Sequence, residues 1–457
     1  MASLLPTTAN ESSPLLTNGH TNGTAHRRTM SDRLSGFLKP ASYGEPSWLH
    51  SFRFFFFGSW LNILLVFVPL SAIAHYLNWD AALRFSFSFI AIMPLAALLG
   101  TATEQLSLKL GQTLSGLLNA SFGNAVEIIV GVAALLQNEM RIVQTSMMQL
   151  LGSILSNLLL VLGCSFLAGG FYQAEGEFQA TAAQTSSSLM TLACITLVIP
   201  AAYHSAKSHT GGVEITLDAL GNRQIIDGSD LDDQWGHGLR FISRGTAILL
   251  LFVYIAYLFF QLKTHAHLFV AQPRLVPGDA DSNNSGLQVG HQPVVAVAAE
   301  EEETAEMSIG AAAVGLLLVT VITSFCADYL VASIEETAER YHIPKPFIGL
   351  ILLPIVANAA EHVTSVWMAM KGKMELTIGI CVGSSIQIAA FVIPLLVIVG
   401  WITHHDLTLF FADFETIVLF VSVLLVNFLV QDGKSNYMEG LMLLTLYLVI
   451  ALAFWVS

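Results

Sequence analysis

Eleven runs of apolar residues divide this chain: Phe54–Ala74, Phe85–Thr103, Thr113–Gln137, Ile142–Gly170, Ala182–Tyr203, Gly245–Leu262, Ser308–Ala327, Phe347–Met370, Leu376–Thr403, Thr416–Val430 and Gly440–Val456. About twenty residues rising 1.5 Å each are enough to cross the hydrocarbon core of a bilayer. A backbone in lipid must satisfy its own amides and carbonyls, so each run is predicted to be a helix. Polar segments precede and separate the runs. Residues 1–50 are polar and rich in Ser, Thr and Asn, which predicts a disordered tail. Residues 263–307 contain Pro273, Pro277, Gly278 and the polar stretch Asp281 to Ser285, which predict a flexible linker. The linker ends in VVAVAAEEEETAEM, a helix-favouring segment carrying Glu300, Glu301, Glu302, Glu303 and Glu306. That segment reads either as a solvated charge run or as a collector of cations beside the following span.

Composition strengthens the membrane reading. The 457 residues are 54% hydrophobic and only 11% charged, against roughly a quarter charged in soluble domains. A net charge of −14 argues against nucleic acid as a partner. Cys164, Cys194, Cys326 and Cys381 all lie inside apolar runs without CxxC spacing, so they read as packing residues. No cleavable signal peptide precedes the first run. With the N-terminus cytosolic, eleven of the 19 Lys and Arg residues fall on the cytosolic side. The positive-inside bias thus favours a cytosolic N-terminus and, after eleven crossings, a lumenal C-terminus. Glu11, Leu15 and Leu16 in the tail fit an acidic dileucine pattern of the kind sorting adaptors read.

A repeat then organises the spans. Residues 123–140 read GNAVEIIVGVAALLQNEM and residues 357–374 read ANAAEHVTSVWMAMKGKM, aligning Asn124 with Asn358 and Glu127 with Glu361. A polar-bearing apolar helix follows each copy: Gly152-Ser153-Ile-Leu-Ser156-Asn157 in the first, Gly383-Ser384-Ser385-Ile-Gln387 in the second. The copies sit five crossings apart and therefore traverse the membrane in opposite directions. Inverted repeats of this kind build secondary transporters, with the binding site near the midplane. The predicted organisation is a tail (1–50), an extra N-terminal helix (51–78), a first half (83–262), a cytosolic linker (263–307) and a second half (308–457). The fold class is an all-α integral membrane protein of about eleven transmembrane helices, two inverted five-helix repeats plus the extra helix.

Glu127 and Glu361 are the acids nearest the centre of any run, and an ionised carboxylate there is costly enough to imply function. Asn and Glu at i and i+3 share a helix face, so facing repeats would offer two carboxylates, two amide oxygens and Ser153, Ser156, Ser384 and Gln387. This is an all-oxygen cage suited to Ca²⁺, with Mn²⁺ also acceptable to such donors. Pro354 and the glycines Gly116, Gly123 and Gly131 loosen the helices near the motifs and free carbonyls to join in. Without a cation the two desolvated carboxylates repel and take up protons, so binding a divalent ion releases them. Two protons per cation make the cycle electroneutral; a third makes it voltage-sensitive. His362 is either that further proton site or a structural histidine bonded to a neighbouring helix. His404-His405-Asp406 reads as a solvated loop.

These residues resemble the calcium/proton exchanger (CAX) family. The first copy, Leu117-Leu-Asn119-Ala-Ser-Phe-Gly123-Asn124-Ala-Val-Glu127 with Leu151 to Cys164, is similar to that family's first repeat. Asn358-Ala-Ala-Glu361-His362 with Gly383-Ser-Ser-Ile-Gln387-Ile is similar to its second, and Gln431 to Gly440 also fits. The resemblance covers roughly residues 50–457 and looks closest to fungal vacuolar members. It implies ten core helices plus one, Ca²⁺ bound by Glu127 and Glu361, a regulatory role for the acidic run from Glu300, and a vacuolar membrane. Ala357 departs from the glycine usual in the family, which leaves the metal preference less determined than the reaction. On this reading the chain is not an enzyme and needs no cofactor; Ca²⁺ and H⁺ are its cargo and the bilayer its solvent. The competing readings are the same fold with Mn²⁺ as main substrate or with Na⁺ coupling. A metalloprotease fails because Glu361-His362 lacks a second histidine at HExxH spacing, and a channel does not need inverted repeats with one carboxylate each.

Overall fold

The computed structural model describes residues 46–110, 118, 121–136, 140–210, 215–217, 223–225, 228–265, 305–405, 407–411 and 413–456. The tail motif at Glu11, Leu15 and Leu16 and the acids Glu300 to Glu303 lie outside these residues. The described chain is nearly all helix, and each of the eleven predicted runs carries some of it. In chain order the helices are α1 (Trp48–Phe57), α2 (Trp60–Tyr76), α3 (Ala81–Leu110), α4 (Ala125–Leu136), α5 (Met140–Leu155), α6 (Leu162–Tyr172), α7 (Ala180–Thr210) and α8 (Gly228–Phe259). There follow α9 (Ile309–Tyr341), α10 (Lys345–Ala357), α11 (Ala359–Met370), α12 (Met374–Gln387), α13 (Ile393–Ile402), α14 (Asp413–Leu429) and α15 (Tyr437–Trp455).

Among the described residues, seven helical segments are long and apolar enough to cross a membrane. Two bent pairs, α1 with α2 (84°) and α10 with α11 (58°), raise the number to nine, and α4 and the Phe414–Leu429 part of α14 are shorter apolar helices. The first bend falls at Gly58-Ser59, where the Ser59 hydroxyl caps the Leu61 amide at 3.3 Å and starts a tight 3₁₀ turn. The seventh run extends well beyond its apolar part. Its last turns carry Glu335, Glu336, Glu339 and Arg340, and ion pairs hold them in helix: Arg84 with Glu336, Arg340 with Asp80 at 2.6 Å, and Lys345 with Glu335 at 2.7 Å.

Two apolar cores hold the helices together. One joins α1, α2, α3, α9 and α10; the other joins α5 through α8 with α11 through α15. Residues of α4 and of α10 belong to both, so the helices at both motifs lie at their boundary. Helix contacts reciprocate between the halves: α3 lies on α9, α7 on α14, α6 on α15 and α13 on α8. Glycine permits the closest of these. A Cβ on Gly440 would stand 2.4 Å from the Leu167 amide nitrogen and 2.7 Å from the Gly163 carbonyl oxygen, so α15 and α6 touch backbone to backbone.

Outside the helices two strand pairs occur. β1 (Gly176–Glu177) pairs antiparallel with β4 (Lys434–Ser435), and β2 (Ile215–Leu217) with β3 (Arg223–Ile225). Lys434 beside β1 donates to Glu175 at 2.8 Å, and that carboxylate raises the lysine above its ordinary pKa. The four cysteines are free thiols, in keeping with a packing role.

Candidate functional site

Both motifs sit where a helix is interrupted. Gly123-Asn124 forms a turn before α4, and Asn358 forms one between α10 and α11. Each asparagine carbonyl accepts the first bond of the helix that follows, from Ile128 at 3.2 Å and from His362 at 2.8 Å. Pro354, lacking an amide hydrogen, lies just past a π-helical turn (Ile348–Leu352), which accounts for the bend there. The breaks place each Glu in the first turn of a helix, pointing with its Asn toward the other half. The two polar helices that follow are also irregular. π-helical turns occupy Ser156–Val161, between α5 and α6, and Ile388–Val392, between α12 and α13.

One chain of hydrogen bonds crosses between the halves repeatedly. The Asn157 amide donates to Glu361 Oε2 at 2.8 Å and to Ser384 Oγ at 3.1 Å. Ser384 in turn donates to Asn124 Oδ1 at 2.9 Å, and Asn124 donates to Gln387 Oε1 at 2.6 Å. A separate link runs from the Asn358 amide to the Ser153 carbonyl oxygen at 3.2 Å. Glu127 lies within electrostatic reach of Glu361. Its side chain is buried, whereas Glu361 keeps part of its surface open.

Three oxygens on residues bonded into this network have no hydrogen-bond partner although buried: Ser153 Oγ, Asn157 Oδ1 and Asn358 Oδ1. Buried polar atoms are almost always paired, so three such atoms are open to a ligand. All three can accept, and none is a soft donor. With the two carboxylates they form a hard, all-oxygen surface that suits a cation such as Ca²⁺.

Of the residues singled out in the repeats, hydrogen bonds link Asn124 with Ser384 and Gln387, and Asn358 with Ser153, while Glu127 lies within electrostatic reach of Glu361; Ser156 lies in the neighbouring π turn. The structure adds Asn157, which binds Glu361 directly. Its spacing from Ser153 puts both on one helix face, but its counterpart in the second copy is Ile388, so symmetry alone passes over it. His362 is half-buried, and among the described residues no side-chain hydrogen bond joins it to Glu361. Glu306 lies 4.0 Å from His50, away from this site. His404 and His405 stand in a loop, with His405 against Thr403 at 3.0 Å, and Asp406 is outside the described residues. Among the described residues no group of three or more His, Cys, Asp or Glu side chains gathers anywhere; the candidate site uses two carboxylates and completes its donor set with amides and hydroxyls.

Known proteins are similar to this chain. Residues 80–263 and 311–456 match the family described as sodium/calcium exchanger protein. A vacuolar calcium ion transporter of Schizosaccharomyces pombe is 44% identical over 397 residues, covering 87% of this chain and 85% of that one. Vacuolar cation/proton exchanger 2 of Arabidopsis thaliana is 39% identical over 412 residues, covering 89% and 83%. Among solved structures, that of the Ca²⁺/H⁺ antiporter protein YfkE aligns with a TM-score of 0.64 at 30% identity, over 87% of this chain and 99% of that one.

Proposed function

Because this chain belongs to the sodium/calcium exchanger protein family, we propose that it is a secondary transporter that exchanges Ca²⁺ for H⁺ across the vacuolar membrane. The observation that carries the reading is the pairing of Glu127 with Glu361, ringed by unpartnered oxygens and joined through Asn157, Ser384, Asn124 and Gln387. The names of the S. pombe and A. thaliana relatives support the ion, the counter-ion and the membrane together.

Charge explains the coupling. Two carboxylates balance one divalent cation, so a Ca²⁺-loaded site adds little net charge to the low-dielectric interior. When the cation leaves, two bare carboxylates would repel each other out of water, and protons replace the lost charge. Ca²⁺ and H⁺ therefore compete for the same oxygens, and exchange needs no separate proton site. Asn157 steadies the Glu361 carboxylate whether the cation is bound or not, while Ser384 and Gln387 hold Asn124 in register. Ca²⁺ in the site is held by Glu127 and Glu361 with amide and hydroxyl oxygens of Asn124, Asn358, Ser153 and Ser384.

The organisation follows from the same reading. The eleven runs are eleven crossings, an extra helix followed by two inverted halves, and the reciprocal helix contacts support that symmetry. The N-terminus is cytosolic and the C-terminus lumenal. The linker acids Glu300, Glu301, Glu302, Glu303 and Glu306 then lie on the cytosolic face, where they raise the local cation concentration.

Calorimetric titration of the purified protein with Ca²⁺, in two buffers of different ionisation enthalpy, tests the shared site. The expected result is proton release on binding, abolished in the Glu127→Gln/Glu361→Gln double variant. Calcium binding without proton release would show that the carboxylates are not the exchange site.

A further inference from the structure

The π-helical turn that begins at Ser156 bears on Glu361 through Asn157, and a residue far along the chain presses on that turn from outside the site. Helix α15 packs on Ser156–Val161. Its Tyr447 is 3% exposed, and its hydroxyl interacts with the Ser156 side chain on the turn. No other side chain pairs with either hydroxyl among the described residues. The height of Tyr447 is fixed by the backbone contact of Gly440 with Gly163 and Leu167 two turns earlier. Span and site are thus held together at a defined register.

A hydroxyl buried in protein within lipid reach has no bulk water to fall back on, so two facing each other are natural partners for one another or for a shared water. The place matters because a π turn is a point where a helix adjusts its register at low cost. A one-residue adjustment there would carry Asn157 away from Glu361.

The related contact in the other half shows what is special here. Tyr254 of α8 is 2% exposed, has an unpartnered hydroxyl, and lies stacked on Phe391 in the Ile388–Val392 turn at 5.5 Å. That turn opens with Ile388, which has no polar group to offer a cation. Two buried tyrosines thus lie on two π turns, but only one turn carries a residue bonded to a site carboxylate.

We propose that Tyr447 is a positioning residue for the cation site, holding through Ser156 the turn that presents Asn157 to Glu361. The proposal rests on the exchange function argued above. Its test compares Tyr447→Phe, Ser156→Ala, the double variant, and Tyr254→Phe as the control, by Ca²⁺-dependent transport and by thermal unfolding in detergent. Tyr447→Phe keeps the ring, and so the packing. The expected result is a rise in KM for Ca²⁺ of roughly three- to tenfold, the range for one net hydrogen bond, with little change in the maximum rate or in Tm. Ser156→Ala gives a similar rise, and the double variant no more than the larger single effect. Tyr254→Phe leaves KM unchanged. Equal KM for Tyr447→Phe and the wild type overturns the proposal, as does an equal shift in Tyr254→Phe. The readouts keep it apart from the exchange reading. Loss of proton coupling in the wild type defeats that reading, whereas a coupled wild type with an indifferent Tyr447→Phe defeats only this one.

Discussion

The two halves of the site carry the same motif and meet different surroundings. Around Asn124, both amide groups are engaged: the oxygen accepts from Ser384 and the nitrogen donates to Gln387. Around Asn358 the nitrogen is engaged but the oxygen is not, and Ser153, Ser156 and Asn157 leave oxygens unmatched as well. The glycines that precede the two serines differ likewise. A Cβ on Gly152 would meet the Leu350 carbonyl oxygen at 2.4 Å and Pro354 Cγ at 2.6 Å, whereas one on Gly383 would meet nothing within 4 Å. Glu127 is closed in while Glu361 is partly open. A sequence repeat therefore does not make two equivalent half-sites. In this conformation the surroundings of Asn124 are a finished scaffold, whereas those of Asn358, with Ser153 and Asn157 of the first half, hold the unmet valence.

That contrast can be broken most severely at the carboxylates. Glu127→Gln or Glu361→Gln leaves a divalent cation with one charged partner in a dry site. An unpaired buried charge costs about 3–5 kcal/mol, so either change should cut Ca²⁺ uptake at least about 100-fold, measured as initial rates in vesicles. Near-normal transport by either variant would place the cation elsewhere.

A smaller effect separates the bonds to charged and to neutral partners. Asn157→Ala removes a donor to Glu361, worth about 1.5–3 kcal/mol, or about ten- to a hundredfold in Ca²⁺ affinity. Gln387→Ala removes a bond to a neutral amide and should cost about three- to tenfold. Calcium titration of both variants checks the order; a weaker effect at Asn157 would mean that its bond to the Glu361 carboxylate contributes less to the site than the neutral bond to Gln387.

The glycines sharpen the comparison without touching a ligand. Gly152→Ala must push Leu350 or Pro354 aside and should destabilise the fold by about 1–3 kcal/mol, the range for an overpacked core. Gly383→Ala has room and gains helix propensity, so its Tm should match or exceed the wild type. Thermal unfolding of the two variants in one detergent decides it. Equal losses would mean that the halves are packed alike.

The least effect is expected farthest from the site, at the exposed pair of Lys434 with Glu175. The carboxylate raises the lysine pKa, so any stability it lends is present below the ordinary lysine pKa and disappears only as the pH rises through the raised value. Lys434→Ala should leave Tm unchanged near neutrality because solvent screens the pair, and a scan from pH 7 to 11 should show the two proteins coinciding throughout; a loss at pH 7 that vanishes as the lysine deprotonates would show that the pair does stabilise the fold.

Much of this was legible beforehand because lipid leaves a chain few options. A run of twenty apolar residues has to be helix, and among the described residues each of the eleven runs carries helix. Asn-Ala-x-Glu at two positions in a charge-poor chain also pointed to the paired acids without a structure. The alignment pointed to Ser384 and Gln387, which hydrogen-bond Asn124, because each copy is followed by its own polar helix. It passed over Asn157 because that residue has no polar counterpart, and the hydrogen bonds that matter join one half to the other, a relation that spacing along the chain does not encode. The π turns, the 84° bend at Gly58-Ser59 and the ion pairs that prolong α9 to Tyr341 depend likewise on tertiary neighbours. So does the unequal environment of the two glutamates.

The most direct test of the whole account is ⁴⁵Ca²⁺ uptake into sealed, acid-loaded proteoliposomes in sodium-free buffer, with and without a protonophore. Antiport through the paired carboxylates predicts uptake that collapses when the protonophore dissipates the pH gradient. Uptake that ignores the gradient, or that appears only when sodium is supplied, would contradict it.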